Sequence, residues 1–120
     1  MPHTTDELTN RCAENMMNLR EWALTDGQID SATKAVVMAA IYSAVRCRDC
    51  VEGYLVIANE FGATRDQVRE MMNLITMAQG CTGEVWAAKA CTFYDDLLEG
   101  KINTGDEAFS WCLDLAGKVR

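Results

Sequence analysis

The chain has 120 residues, 49% of them hydrophobic and 24% charged, with eight Gly and one Pro. That is enough apolar material for one ordinary core and too much for extended disorder. Eleven Lys and Arg against 18 Asp and Glu leave a net charge of −7, which argues against nucleic acid or an anionic membrane surface as a partner, since both need clustered cations.

The single Pro is Pro2, so nothing breaks a helix from residue 3 onward. The first helix is expected over about residues 5 to 24, with Leu8, Met16, Leu19 and Trp22 on a loose helical period. Thr25-Asp26-Gly27 stops it, and Asp30 or Ser31 caps the next helix. That second helix carries Val36, Val37, Ala40, Ile41, Ala44 and Val45 as an apolar stripe and runs into a cysteine pair. Tyr54, Leu55, Ile57, Ala58 and Phe61 continue the helical pattern to Gly62, which suits a helix C′ position. Thr64 and Gln67 form a capping box for a helix holding Val68, Met71, Met72, Ile75 and Ala78, ending near Gly80. Thr82 or Gly83 opens another helix, with Val85, Trp86, Ala90, Phe93, Tyr94, Leu97 and Leu98, closed by Gly100. Thr104 and Glu107 suggest a second capping box, ahead of a last helix lined by Phe109, Cys112, Leu113 and Ala116. No segment alternates with period two. The fold expected is all-α: one domain over residues 1–120, a bundle of about six helices, with no repeat and no linker.

The longest nearly apolar run, Ala35 to Val45, is far short of the roughly 20 residues a membrane span requires. The N-terminal residues show no charged-then-apolar leader. A soluble, cytoplasmic protein is expected.

Six cysteines would suggest a disulfide framework in a secreted mini-protein. Here Cys12, Cys81, Cys91 and Cys112 each stand alone in apolar, helix-like stretches, where a free thiol packs as a small hydrophobe. Only Cys47 and Cys50 are close together, and they carry the chemistry. Spaced i and i+3, they share one side of a helical turn and can close a small disulfide ring. At a helix N-terminus the thiolate is favoured by free N–H groups and the macrodipole; Arg46 and Arg48 add to this and Asp49 opposes it. Such a dithiol can attack a disulfide or a peroxide and then resolve itself. The same spacing also occurs in half of a zinc site, or in two thiols that merely pack. A zinc site needs further ligands, and Cys81 with Cys91 has no recognisable zinc spacing.

The order of a helix of small apolar residues, then Cys47-Arg48-Asp49-Cys50, a further helix, and Phe61-Gly62-Ala63-Thr64-Arg65-Asp66-Gln67-Val68 resembles the carboxymuconolactone decarboxylase and alkylhydroperoxidase D-like family. In that family a Cys-x-x-Cys-x-x-x-His motif precedes a Gly-Ala-Thr/Ser-x-x-Glu-Ile/Val segment at about this distance. The resemblance spans roughly residues 28 to 90. It implies an all-helical fold that assembles into homotrimers or homohexamers. It also implies a dithiol site that reduces a peroxide or a partner's disulfide, drawing electrons from a thiol donor, with no cofactor and no metal. Two positions depart from the family. Its His is Tyr54 here, and the Glu that lies twelve residues before the first Cys is Ala35 here. In the family those two groups relay a proton from the thiol.

The candidate site residues are therefore Cys47, Cys50, Tyr54 and Glu84. Cys50 is expected to attack and Cys47 to resolve, because position 54 lies one turn from Cys50. Tyr54 shares the i, i+3, i+7 face of the two cysteines and has a hydroxyl to donate, although with a pKa of about 10 it is a poor base. The plainer expectation is that it packs in the core. Glu84, at a helix start, is a candidate proton carrier, whereas His3 lies at the terminus, away from any motif. The pairs Met16–Met17 and Met71–Met72, with Trp22, Trp86 and Trp111, are expected in the core or in a subunit interface. Two alternatives to the thiol oxidoreductase are a non-enzymatic redox-sensing or structural subunit of the same fold, and a lactone decarboxylase, which would rely on a His that position 54 lacks.

Overall fold

A computed structural model describes residues 2–120. In chain order its elements are α1 (Thr5–Leu24), α2 (Ser31–Ala44), α3 (Arg48–Glu60), α4 (Arg65–Leu98), a short 3-10 turn (Glu107–Phe109) and α5 (Ser110–Val119). There is no strand among the described residues.

The element α4 is two helical rods. Gly80 interrupts it with φ 64° and ψ −140°, a conformation open almost only to glycine. Arg65 Nε lies 2.9 Å from Asp95 Oδ1, and Arg69 Nη2 lies 2.7 Å from Asp95 Oδ2. An unbroken helix would hold residues 65 and 95 about 45 Å apart, so the chain folds back at Gly80 and the ion pairs clamp the two rods together. The helix end near Gly80 and the restart just after it are as expected from the sequence, and the expected count of about six helices stands with them.

The centre of the bundle is α3. Val51 and the run from Gly53 to Ala58 are all buried, because α2, α4 and α5 pack around this helix. The face α2 turns inward is Ser31, Ala35, Val36, Ala39, Ala40 and Ser43. This differs from the expected stripe: Ile41 and Val45 are 48% and 63% exposed. Ser and Ala at most of these positions let the α2 and α3 backbones approach closely, with Val36 between them, while Ile41 and Val45 remain outside.

The expected caps form where the turn chemistry is strongest. Asp30 accepts from the Thr33 N–H at 2.7 Å, and Thr64 and Gln67 make their reciprocal box at 3.1 and 2.8 Å. Gly62 ends α3 with φ 81°, and the Ala63 N–H donates to the Ala58 carbonyl at 2.9 Å, closing a Schellman motif. Ala63 is buried and its carbonyl accepts from the Tyr94 hydroxyl at 2.5 Å, so each residue of the Gly-Ala-Thr segment has a structural role.

The second capping box does not form. Asp106, not Thr104, caps the 3-10 turn by accepting from the Ala108 N–H at 3.0 Å, while the Asn103 side-chain oxygen Oδ1 takes the Gly105 N–H at 3.1 Å. The two Asx side chains bind the Gly105 and Ala108 N–H groups and set a different local turn. A capping box not foreseen from the sequence joins Thr4 and Glu7 at the start of α1.

Helix α1 lies on the outside. Only Leu24 is buried, and Leu8, Met16, Leu19 and Trp22 are 49%, 46%, 54% and 79% exposed. The radius of gyration is 15.4 Å, above the about 13.6 Å of a compact chain this long. The methionine pairs divide as expected: Met72 is buried while Met71 is partly so, and Met17 packs on the core while Met16 does not. No helix of the described residues is long and apolar enough to cross a membrane.

Candidate functional site

The site begins with how α2 stops. Val45 ends the helix, and Arg46 follows with φ 66°, the one positive φ outside glycine among the described residues. The Arg46 N–H donates to the Ser43 carbonyl at 3.3 Å and the Cys47 N–H to the Tyr42 carbonyl at 3.0 Å. This is a Schellman motif with arginine where glycine is usual, a conformation costing about 1–2 kcal/mol. The Arg46 guanidinium folds back to donate to the Ser43 carbonyl at 2.5 Å, which holds the turn.

That turn delivers Cys47 to the N-cap of α3, and Cys50 to its first turn. Their sulfurs are in bonding contact and their Cα atoms are 5.4 Å apart. Both are half-buried. No side chain caps α3, so its first N–H groups and the dipole are left to act on the sulfurs. Asp49, in the same turn, opposes them. Arg48 is drawn away by its ion pair with Glu52 at 2.8 Å. The remaining cysteines are unpaired: Cys12 and Cys81 exposed, Cys91 half-buried, Cys112 buried. Packing of all four as small hydrophobes therefore holds fully only for Cys112, because the helix faces carrying Cys12 and Cys81 look outward. Among the described residues no three His, Cys, Asp or Glu side chains gather as metal ligands.

Tyr54 lies one turn below Cys50, 3% exposed. Its ring stacks on Tyr42 (centroids 5.5 Å, 13°) and meets the edge of Trp111 (5.5 Å, 71°). Arg20 of α1 stands 5.7 Å from the Trp111 ring centre. Burial pushes the Tyr54 phenol above its ordinary range, and the nearby Arg20 guanidinium pulls the other way. Tyr54 is thus the hub of an aromatic cluster beneath the dithiol. Ala35 is fully buried, so no carboxylate enters from that position. Glu84 is exposed in the first turns after Gly80 and makes no hydrogen bond or ion pair among the described residues. His3 pairs with Glu7 at 3.3 Å, on the exposed end of α1.

A cleft of about 740 Å³ opens beside the start of α3, between Arg48, Val51 and Glu52 on that helix and Trp86, Lys89 and Phe93 on the second rod of α4. Trp86 reaches the dithiol end: the Arg46 guanidinium is 5.6 Å from its ring centre and Lys89 Nζ is 5.3 Å from it. Sequence reasoning did not find the groups around the dithiol, Arg20, Tyr42, Trp86 and Lys89. The one available signal was that α2 must reverse at residues 45–47 without a glycine.

The carboxymuconolactone decarboxylase family matches residues 11–92. The chain belongs to this family. The match runs from the middle of α1, through the dithiol turn, to the cleft face of α4, so the family segment contains Cys47, Cys50, Tyr54 and Glu84, while Phe93 and Trp111 lie beyond it. Two relatives are similar over its greater part. An uncharacterised protein of Cupriavidus necator is 31% identical over 75 residues, 62% of this chain and 66% of that protein. The chain therefore spans just under two thirds of that relative. Uncharacterised protein 4 in the cox locus of Paracoccus denitrificans is 27% identical over 79 residues, 66% of this chain and 71% of that protein. No solved structure matches.

Proposed function

We propose that the chain is a thiol oxidoreductase in which Cys47 and Cys50 alternate between dithiol and disulfide. The observation carrying this reading is the contact of the two sulfurs at the uncapped start of a buried central helix. In each cycle the Cys50 thiolate attacks one sulfur of a substrate disulfide. That S–S bond breaks, and the departing thiolate takes a proton from solvent. Cys47 then loses its proton and attacks the Cys50 sulfur of the mixed disulfide. The second half of the substrate leaves as a thiol, and the protein keeps the Cys47–Cys50 bond. Two electrons have passed to the substrate, and an external thiol donor returns them.

A peroxide would instead oxidise Cys50 to a sulfenic acid, which Cys47 condenses with loss of water. Fast peroxide turnover needs a proton relay. With Ala35 buried in the core and a weakly acidic phenol at position 54, disulfide exchange is the better supported reaction. The same two observations favour a second reading, a redox sensor that changes state once and does not cycle. Lactone decarboxylation lacks the His it would use. Four unpaired thiols, two of them exposed, suit a reducing, cytoplasmic setting. The exposed apolar side of α1 supports assembly into a homotrimer or homohexamer.

The test is the reduction potential of the pair, by thiol trapping across redox buffers, with turnover assays beside it. A working exchange dithiol falls at roughly −120 to −270 mV, and Cys50→Ser abolishes both disulfide exchange and peroxide consumption. A pair that forms no disulfide at any poise, or unchanged activity in Cys50→Ser, overturns the proposal. Stoichiometric oxidation without cycling selects the sensor.

A further inference from the structure

The surroundings of the dithiol have an electrical sign opposite to that of the chain. The net charge is −7, yet two cations converge on one indole at the dithiol end of the cleft. The Arg46 guanidinium, on the residue bonded to Cys47, is 5.6 Å from the Trp86 ring centre, and Lys89 Nζ is 5.3 Å from it. Neither makes an ion pair among the described residues. The other cations of the cleft are already matched: Arg48 with Glu52 and Lys101 with Glu99, each at 2.8 Å. The ring attracts both cations, and the Arg46 guanidinium also donates to the Ser43 carbonyl, a neutral partner that leaves its charge unmatched. An anion at this end of the cleft can pair with both.

Beyond this charged end the wall becomes apolar, through Val51, Phe93, Ile102 and Phe109. Of the three acids lining the cleft, Glu52 is held by Arg48, and Asp96 and Asp106 belong to the second rod of α4 and to the 3-10 turn. Asp96 is ten residues along α4 from Trp86, about 15 Å, beyond a Debye length of about 8–10 Å in ordinary salt. With Asp49 and Glu52 set against Arg46, Arg48 and Lys89, the dithiol end keeps one net positive charge, and the wall further in is apolar. Its strained left-handed arginine is what brings one of the two charges to Cys47. A glycine there would serve the turn and supply no charge.

We propose that Arg46 and Lys89, held on Trp86, form an anion-recognition site that selects disulfides bearing a carboxylate close to the sulfur and delivers them to Cys47–Cys50. The proposal rests on the exchange reading and names the substrate class for it. The carboxylate binds between the two cations while the organic part lies along the apolar wall, so the substrate disulfide is presented to the attacking thiolate. The half that remains as the mixed disulfide stays anchored while Cys47 resolves it. A neutral peroxide gains nothing from such a site.

The test compares three probes on the reduced full chain: dithiodipropionate (anionic), bis(2-hydroxyethyl) disulfide (neutral) and cystamine (cationic). Each second-order rate constant is divided by that of dithiothreitol with the same probe, which removes the disulfide's intrinsic reactivity. The expected order is anionic, neutral, cationic, with an anionic-to-cationic ratio of about tenfold at low salt that collapses toward one near 1 M salt, where screening acts over about 3 Å. The chain's overall charge pulls the other way, so this order can come only from a local site. In the Arg46→Gly, Lys89→Gln double variant the ratio falls to one or below; glycine keeps the left-handed turn. Lys118→Gln, a single neutralisation on the exposed end of α5, leaves the ratio within twofold of wild type. Equal normalised rates for the three probes, or a preference that survives in the double variant, overturn the proposal and leave the exchange reading intact. No exchange with any probe overturns both.

Discussion

Gly53 to Ala is a substitution that helix propensity favours by about 1 kcal/mol and that this fold opposes. A methyl at position 53 lands on the indole of Trp111: it meets Cζ2 in hard overlap, Cη2 at 2.9 Å and Cε2 at 3.1 Å, where carbon atoms prefer about 3.5–4.0 Å. Helix α3 cannot retreat, because α2 and α4 hold its other sides, so Trp111 must move. Its displacement loosens the edge contact with Tyr54 and the contact with Arg20, each worth about 1 kcal/mol, on top of about 1–3 kcal/mol of overpacking. The net expectation, after the propensity gain, is a loss of about 2–4 kcal/mol, or about 5 °C in Tm per kcal/mol for a chain of this length. Thermal and urea melts at fixed protein concentration measure it. In a Trp111→Ala background the clash is gone, and Gly53→Ala becomes neutral or stabilising. Gly117→Ala, whose methyl meets nothing within 4 Å, is the open-space control. If Gly53→Ala is as stable as wild type, or costs the same with and without Trp111, the seating of the indole on α3 is wrong.

Two further outcomes follow from the caps and the buried acids. Thr64→Ala removes the N-cap of α4 and costs about 1 kcal/mol, whereas Thr104→Ala, which removes no cap, changes stability by less than about 0.5 kcal/mol; equal effects in urea melts would return Thr104 to a capping role. Burial pushes the Cys112 thiol up to about 11 from its ordinary 9.0, and the Tyr94 phenol up to about 12 from 10.0. Between those values the unfolded chain has lost protons that the folded chain keeps. Stability is therefore intact below pH 9 and declines as pH rises through 11 and 12, with Cys112 contributing on the order of 2 kcal/mol. Cys112→Ala flattens the first part of this decline in pH-dependent melts, and an unchanged slope refutes the assignment.

Much of the fold was legible because its signals are local. Thr64 and Gln67 sit three apart, Gly62 and Gly100 follow helical runs, and the dithiol spacing is fixed along the chain. The family resemblance drawn from the Cys pair and the Gly-Ala-Thr segment holds over residues 11–92. The misreadings have physical causes. Periodicity marks an apolar face but not which side of it the bundle uses, so Ile41 and Val45 were expected inside, and they are half-exposed or more. Thr104 matched a capping pattern, but the Asn103 and Asp106 side chains take the Gly105 and Ala108 N–H groups and build a different turn.

The sequence by itself determined the helices, most of their ends, and the identity of the two thiols, because each depends on residues within a turn or two of one another. Only the tertiary structure decided what surrounds those thiols. Arg20, Tyr42 and Trp111 converge on Tyr54 from three other elements or turns. Trp86 and Lys89 reach the dithiol end only because the chain folds back at Gly80. Those contacts join residues far apart in the chain: Gly80 marks where the helix breaks, but no local period or motif sets the direction in which the second rod returns.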